Sequence, residues 1–446
     1  MKTVTIALVS LMSGMLFGYN VAVIAGALDF LTATYGLSTM GQQVLVTTVL
    51  AGALVGALTS GEIAARWGER TVLLGATVIF LVLPPLLALA ESPWLIGTLR
   101  TLLGVAVGTV SMVAPLYVAE CVAARRRGAL VSLFQFGVTV GILTAYLVNL
   151  AFTPSGDWRL MLGLGGVPAL FLGGALLCLP ESPRWLAFNG RLAEARATLV
   201  NLQGDDAEEA ELEPDRDATQ NGRWSELFSP MVRGVLIMAA GLFLFQNLSG
   251  IDGILYYAPA IFASVGYGGD TGAIMATVGL GVVNVVATVV ALLVVDRLGR
   301  RPLLIGGLIV MSASLLLLGT MAGPMDAEGD DSVLTLVCLG GYIVAFAISL
   351  GPLPYVLMSE VFPLSVRSRG MSLAAGTSWL LNMVVAMTFL TLLTTLGVGP
   401  TFLFYAAICV IALVFSWFLV PETRGRSLAR IEANLHKGLR LRDLGN

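Results

Sequence analysis

Apolar residues run along this chain in long segments rather than at the three-to-four-residue spacing of a surface helix. Twelve such runs occupy 4–28, 43–65, 71–90, 94–119, 127–151, 160–180, 233–258, 272–295, 302–322, 334–358, 368–396 and 400–420. A helix needs about 20 mostly apolar residues to cross hydrocarbon, and tilting accommodates the longer runs. The pattern predicts an all-α membrane protein with twelve transmembrane helices. Polar breaks are short except at 181–232, which leaves six runs on either side. There Leu192, Ala195, Leu199 and Leu202 recur at helical spacing, predicting a short amphipathic surface helix. A solvated acidic stretch follows from Asp205 to Asp217. The predicted division is a six-helix bundle over 1–180, a linker with short helices over 181–232, a second six-helix bundle over 233–420, and a tail over 421–446.

Composition narrows the classes. Of 446 residues, 57% are apolar and 12% charged, against about 25% charged in soluble domains. A soluble chain of this size could not bury so much apolar surface, which excludes a soluble enzyme, a nucleic-acid binder and a disordered regulator. The single histidine, His436, lies in the tail. Cys121, Cys178, Cys338 and Cys409 have no paired spacing and read as buried small hydrophobes. No metal, no cofactor and no enzyme active site is therefore expected, and the absence of GxxxxGK[ST] argues against an ATP-driven pump. The apolar N-terminal run has no evident cleavage site and reads as a retained first span. All Lys and Arg except Arg100 and Arg159 fall in the tails or after even-numbered spans. That asymmetry places both termini in the cytoplasm, in the cell (inner or plasma) membrane.

The two halves repeat each other. Arg66-Trp67-Gly68-Glu69-Arg70 answers Arg297-Leu298-Gly299-Arg300-Arg301 at an offset of 231. Glu120 stands seven residues before Arg127, and Glu360 seven before Arg367, at an offset of 240. Pro180-Glu181-Ser182 answers Pro421-Glu422-Thr423 at an offset of 241. Duplicated bundles can rock about a central site, which is alternating access. The repeated charges, Glu120, Arg127, Glu181, Arg184, Asp296, Arg300, Arg301, Glu360, Arg367 and Glu422, are expected to form a cytoplasmic latch that pairs when the mouth is shut. Arg66, Arg125 and Arg126 read as topology determinants only.

Pro115-Leu116-Tyr117-Val118-Ala119-Glu120, Pro180-Glu181-Ser182-Pro183-Arg184-Trp185-Leu186, Asp296-Arg297-Leu298-Gly299-Arg300-Arg301 and Pro421-Glu422-Thr423-Arg424-Gly425-Arg426-Ser427 resemble the sugar porter family of the major facilitator superfamily. The resemblance implies the major facilitator fold and transport of a monosaccharide or related polyol, with the site at mid-membrane between the bundles. Uncharged amides and aromatic faces inside spans suit sugar hydroxyls and ring CH groups, although a buried amide can equally tie two helices together. Gln135, Gln246 and Trp379 match the family's sugar contacts, and Phe17, Asn284, Phe346 and Gly351 align with pocket positions. Tyr256 and Tyr257 resemble its external gate. Four expected pocket positions depart from the family: Asn247 stands for Gln, Asp252 for Asn, Tyr355 for Trp, and Ser378 for Asn or Gln. The first cytoplasmic motif departs too, with Ala65 for Asp and Glu69 for Arg.

Proton-coupled members carry a first-span Asp near a fourth-span Arg. Here those positions are Asn20 and Arg100, and an amide cannot titrate, so facilitated diffusion is favoured over proton symport. Asp252, an intramembrane carboxylate, is the contrary signal. It could bind a proton, accept sugar hydroxyls, pair with Arg100, or simply be wetted by the cavity. The expected partners are a small sugar or polyol and the lipid bilayer, with protons added under symport. A monomer suffices mechanically, and a signalling sensor would need a longer tail.

Overall fold

The computed structural model describes residues 2–204, 224–230, 232–267, 269–321, 331–363, 366–424, 428–437 and 439–444. The acidic stretch from Asp205 to Asp217 lies outside them, as do the side chains of Asp296, Arg367 and His436. Every regular element among the described residues is helical. Twelve helices are long and apolar enough to cross a membrane, and they are numbered here as spans 1 to 12. Spans 1 to 6 are Lys2–Tyr35, Thr39–Trp67, Glu69–Ala88, Pro93–Cys121, Arg125–Ser155 and Trp158–Leu177. Spans 7 to 12 are Arg233–Tyr256, Thr271–Val294, Arg300–Met321, Val333–Met358, Gly376–Leu396 and Val398–Leu419. The chain divides into two compact units, Met1–Thr219 and Gln220–Asn446.

Helix starts follow local chemistry. Ser38 accepts from the Gly41 amide at 3.2 Å to begin span 2, and Ser92 accepts from Leu95 at 3.3 Å ahead of Pro93 to begin span 4. In the first unit, spans 1 and 5 pack together, as do spans 2 and 4. Glycines spaced by four make both approaches possible. Gly14 and Gly18 face Phe134 and Val138 carbonyls, while Gly137 and Gly141 face those of Leu11 and Met15. Gly52 and Gly56 face Thr101 and Val105, and Gly104 and Gly108 face Val49 and Ala53. A methyl group at any of these positions would collide with backbone, so the close packing that stands in for a hydrophobic drive inside lipid depends on them.

After span 6, Ser182 caps a short helix, Pro183–Phe188, and a second helix spans Leu192–Gln203. Ala195, Leu199 and Leu202 are buried as the spacing predicts, with Ala195 and Leu199 packed beside Leu186. Leu192 is exposed instead, at the first helical position, where the chain is only entering the helix. Cys121, Cys338 and Cys409 are buried, but Cys178 is exposed one residue beyond span 6.

Candidate functional site

Span 7 is interrupted. Its helix runs Arg233–Leu248, stops, resumes over Ile251–Tyr256, and continues as Ala258–Ser264. The first interruption is Gly250 at φ +89°, a conformation that side chains rarely adopt. A Cβ there would also lie 2.8 Å from the Tyr405 ring. Span 10 is interrupted between Ile348 and Leu353. Its cause is written in Gly351-Pro352-Leu353-Pro354, since neither proline carries an amide proton for the carbonyl four residues earlier.

Each break frees carbonyls inside lipid, where they must find donors. The two spans supply each other. Gln246 donates from Nε2 to Leu350 O at 3.0 Å and to Gly351 O at 2.7 Å. In return, the Tyr342 hydroxyl donates to Ser249 O at 2.9 Å, and Ser249 donates from Oγ to Gln246 O at 2.8 Å. Gln246 is 9% exposed. Its nitrogen is thus a helix tie, and its remaining capacity lies on the carbonyl oxygen, which suits a hydroxyl donor.

Asn247, next along, donates to Phe243 O at 2.8 Å and to Ser378 Oγ at 2.9 Å. Ser378 also shares a hydrogen bond with the Tyr355 hydroxyl. Tyr355 packs edge-on against Phe243 at a centroid distance of 4.8 Å and is half-exposed. Asp252 is partly exposed, faces Tyr355, and is hydrogen-bonded to Asn382. The four residues that depart from the family pattern therefore form one connected patch on spans 7, 10 and 11. Shorter side chains at 247 and 378 meet directly, and the phenol at 355 brings a hydroxyl to the same point. Gly351 donates its amide to Phe346 O at 2.8 Å, which holds Phe346 at the edge of the span 10 break. Trp379 is half-buried on span 11 beside Ser378, and Asn284 is buried on span 8.

Tyr256 and Tyr257 are buried against span 11. The Tyr256 hydroxyl donates to Asn382 Oδ1 at 3.2 Å, and that of Tyr257 donates to Ala386 O at 2.8 Å. Tyr257 also stacks on Phe389, with 4° between the ring planes. Asn382 links Asp252 to Tyr256 and is absent from the sequence-based candidates. Its signal was its spacing, one helical turn from Ser378 on the same face.

In the first unit, Phe17 meets Phe134 edge-on at 6.2 Å, and Gln135 beside it is exposed. Asn20 is buried and donates to Leu16 O at 2.8 Å and to Gly165 O at 3.2 Å. Arg100 is also buried, donating from Nε to Leu45 O at 3.3 Å.

The repeated charges form a cluster within each unit. Glu422 accepts from the backbone amides of Arg300 and Arg301, each at 3.1 Å, at the start of span 9. Glu181 does the same at the start of span 3, accepting from Arg70 N at 2.8 Å and Thr71 N at 3.3 Å. Carboxylates at helix N-termini satisfy orphan amides and meet the positive end of the dipole. Glu360 pairs with Arg300 at 3.0 Å and accepts from Thr423 Oγ1. Glu120 accepts from Ser182 Oγ and faces Arg127 and Arg184. Arg301 donates to Trp417 O at 2.9 Å.

A family model described as "Sugar (and other) transporter" matches residues 6–435. The putative metabolite transport protein YwtG of Bacillus subtilis is 39% identical over 426 residues, covering 95% of this chain and 93% of that protein. The galactose-proton symporter of Escherichia coli is 38% identical over 448 residues, covering 99% of this chain and 96% of that protein. Among solved structures, the inward-open xylose transporter XylE from E. coli matches with a TM-score of 0.82 and 31% identity. That match covers 97% of this chain and 99% of the other.

Proposed function

The chain belongs to the sugar (and other) transporter family, and from that premise we propose that it carries a monosaccharide or related polyol across the cell membrane by facilitated diffusion. The observation that carries the reading is the patch on spans 7, 10 and 11. It offers the Gln246 carbonyl, the Asn247–Ser378–Tyr355 hydrogen-bonded group and the half-exposed Tyr355 ring in one place. Uncharged donors and acceptors replace the water around sugar hydroxyls, and an aromatic face meets ring CH groups. Trp379, Phe346, Gly351 and Asn284 belong to the same proposed site, and Phe17 and Gln135 are proposed as sugar contacts within the first unit. Tyr256 and Tyr257 act as the external gate. Both termini lie in the cytoplasm, and one copy of the chain suffices.

The uncoupled reading rests on Asn20. As a donor to two carbonyls it occupies the coupling position without a titrating group. A second reading, proton symport, is favoured by Asp252 within span 7 and by the galactose-proton symporter among the relatives. Under it, Asp252 takes the role that Asn20 cannot.

Counterflow in proteoliposomes with labelled D-glucose, D-galactose, D-xylose and a polyol tests the substrate class. At least one of them should exchange, and Gln246→Ala should slow that exchange by 10-fold or more. Exchange of none contradicts the reading. Asp252→Asn should leave uncoupled exchange running, whereas symport loses its proton dependence with that change.

A further inference from the structure

The two linker-side clusters are built alike except at one position. Glu120 and Glu360 each accept from a hydroxyl, and Glu181 and Glu422 cap spans 3 and 9. Gly68 and Gly299 precede those caps with φ of 91° and 92°. At the next residue the second unit has Arg300, whose guanidinium pairs with Glu360, while the first unit has Glu69. A cation has been replaced by an acid in an otherwise matching frame.

Glu69 is 6% exposed, and its Oε2 is buried with no hydrogen-bond partner. The other carboxyl oxygen is used by the Glu69 backbone amide. The charged side chains it faces are both acids, Glu120 from span 4 and Glu181 from the linker. Cys121 of span 4 stands beside the same group, and Tyr117 of that span faces Cys121, Glu181 and Arg70. Nearby cations are committed elsewhere. Arg127 and Arg184 face Glu120, and Arg70 donates from Nε to Leu176 O at 2.8 Å. Glu120 thus has two arginines and a serine hydroxyl around it, and Glu181 has the amides at its helix N-terminus. A third negative charge at Glu69, desolvated and beside both, has no cation and only its own helix N-terminal amide to offset it.

We propose that Glu69 is a proton-binding site, neutral at neutral pH, and that its proton does in the first unit what the Arg300 guanidinium does in the second. When Glu69 releases this proton to water, three carboxylates face one another, and the Glu181 cap and Glu120–Ser182 contact weaken. The first cluster is thus sensitive to pH on the side proposed above as cytoplasmic, and the second is not.

Infrared spectroscopy of the full-length protein tests ionisation directly and does not depend on which substrate is carried. At neutral pH, the wild-type minus Glu69→Gln difference should contain the carbonyl band of a protonated carboxylic acid. A carboxylate band there overturns the proposal, as does a protonated band that disappears when sodium or potassium replaces choline, since the ligand is then a metal cation. Glu69→Asp provides the same reading if the Gln variant does not fold: the protonated band should shift, and an unshifted band overturns the assignment. The melting temperature should follow. A proton held more tightly in the folded state contributes stability at low pH that is lost as pH rises. The wild type should therefore soften as pH rises from the ordinary carboxylate range through neutrality, and Glu69→Gln and Glu69→Arg should soften less. Equal softening in all three contradicts the proposal.

Discussion

Spans 7 and 10 of the second unit are broken, whereas span 1 of the first is only kinked at Val23 and span 4 runs unbroken over Pro93–Cys121. The same kinds of buried polar side chain serve different ends in the two places. Gln246 donates to Leu350 O, which Pro354 leaves without its helical partner, and to Gly351 O in the same break. Asn20 donates to Leu16 O, which lies four residues back in the same helix, and to Gly165 O across to span 6. Irregular backbone inside a membrane is tolerated where side chains satisfy it. The lesson is that the broken pair spends its donors on its own breaks, while the continuous pair, through Asn20 and Arg100, spends them on carbonyls of spans 1, 2 and 6.

That contrast can be broken most forcefully at Gly250. Gly250→Ala places a methyl group against Tyr405 in a left-handed backbone. It should cost about 1–3 kcal/mol and abolish measurable sugar exchange, read by melting temperature and counterflow. Gln246→Ala comes next. Orphaning two carbonyls should cost about 1–3 kcal/mol and reduce exchange at least 10-fold. Exchange at the wild-type rate would mean that the break is satisfied without it. In the continuous pair, Asn20→Asp should destabilise by about 1 kcal/mol or more, because an acceptor then faces Leu16 O and Gly165 O. It should not by itself confer proton-driven accumulation. Tyr355→Phe removes one hydroxyl from the Ser378 group and should raise the half-saturating sugar concentration by about 2- to 10-fold, with little change in melting temperature. The smallest effect belongs outside both pairs. Hydrogen bonding from Arg191 holds the exposed Glu194 carboxyl below the usual carboxylate range. Any stability from this pair is present above that range and lost as pH falls through it. Glu194→Ala should leave melting and exchange at neutral pH unchanged.

The span count was legible because lipid allows few alternatives to long apolar helices. Helix breaks were less so, since Gly250 and Gly351 are two of 51 glycines, and glycines such as Gly14, Gly18, Gly52 and Gly56 serve close packing. The Gly-Pro-Leu-Pro run at 351–354 did carry a signal, because two prolines remove two donors in one turn. The repeated charges were legible as a repeat, but their partners were not. Glu181 and Glu422 bind backbone amides 111 and 122 residues away, and no spacing rule reaches so far. Asn382 escaped notice because an amide in an apolar run looks like any helix tie until Asp252 and Tyr256 are placed beside it.

The central claim is uncoupled carriage of a monosaccharide or polyol, and sugar accumulation in proteoliposomes under an imposed inward proton gradient tests it most directly. The account predicts that labelled sugar enters until its internal concentration equals the external one and then stops, with or without a protonophore. Accumulation above the external concentration that a protonophore collapses would contradict it.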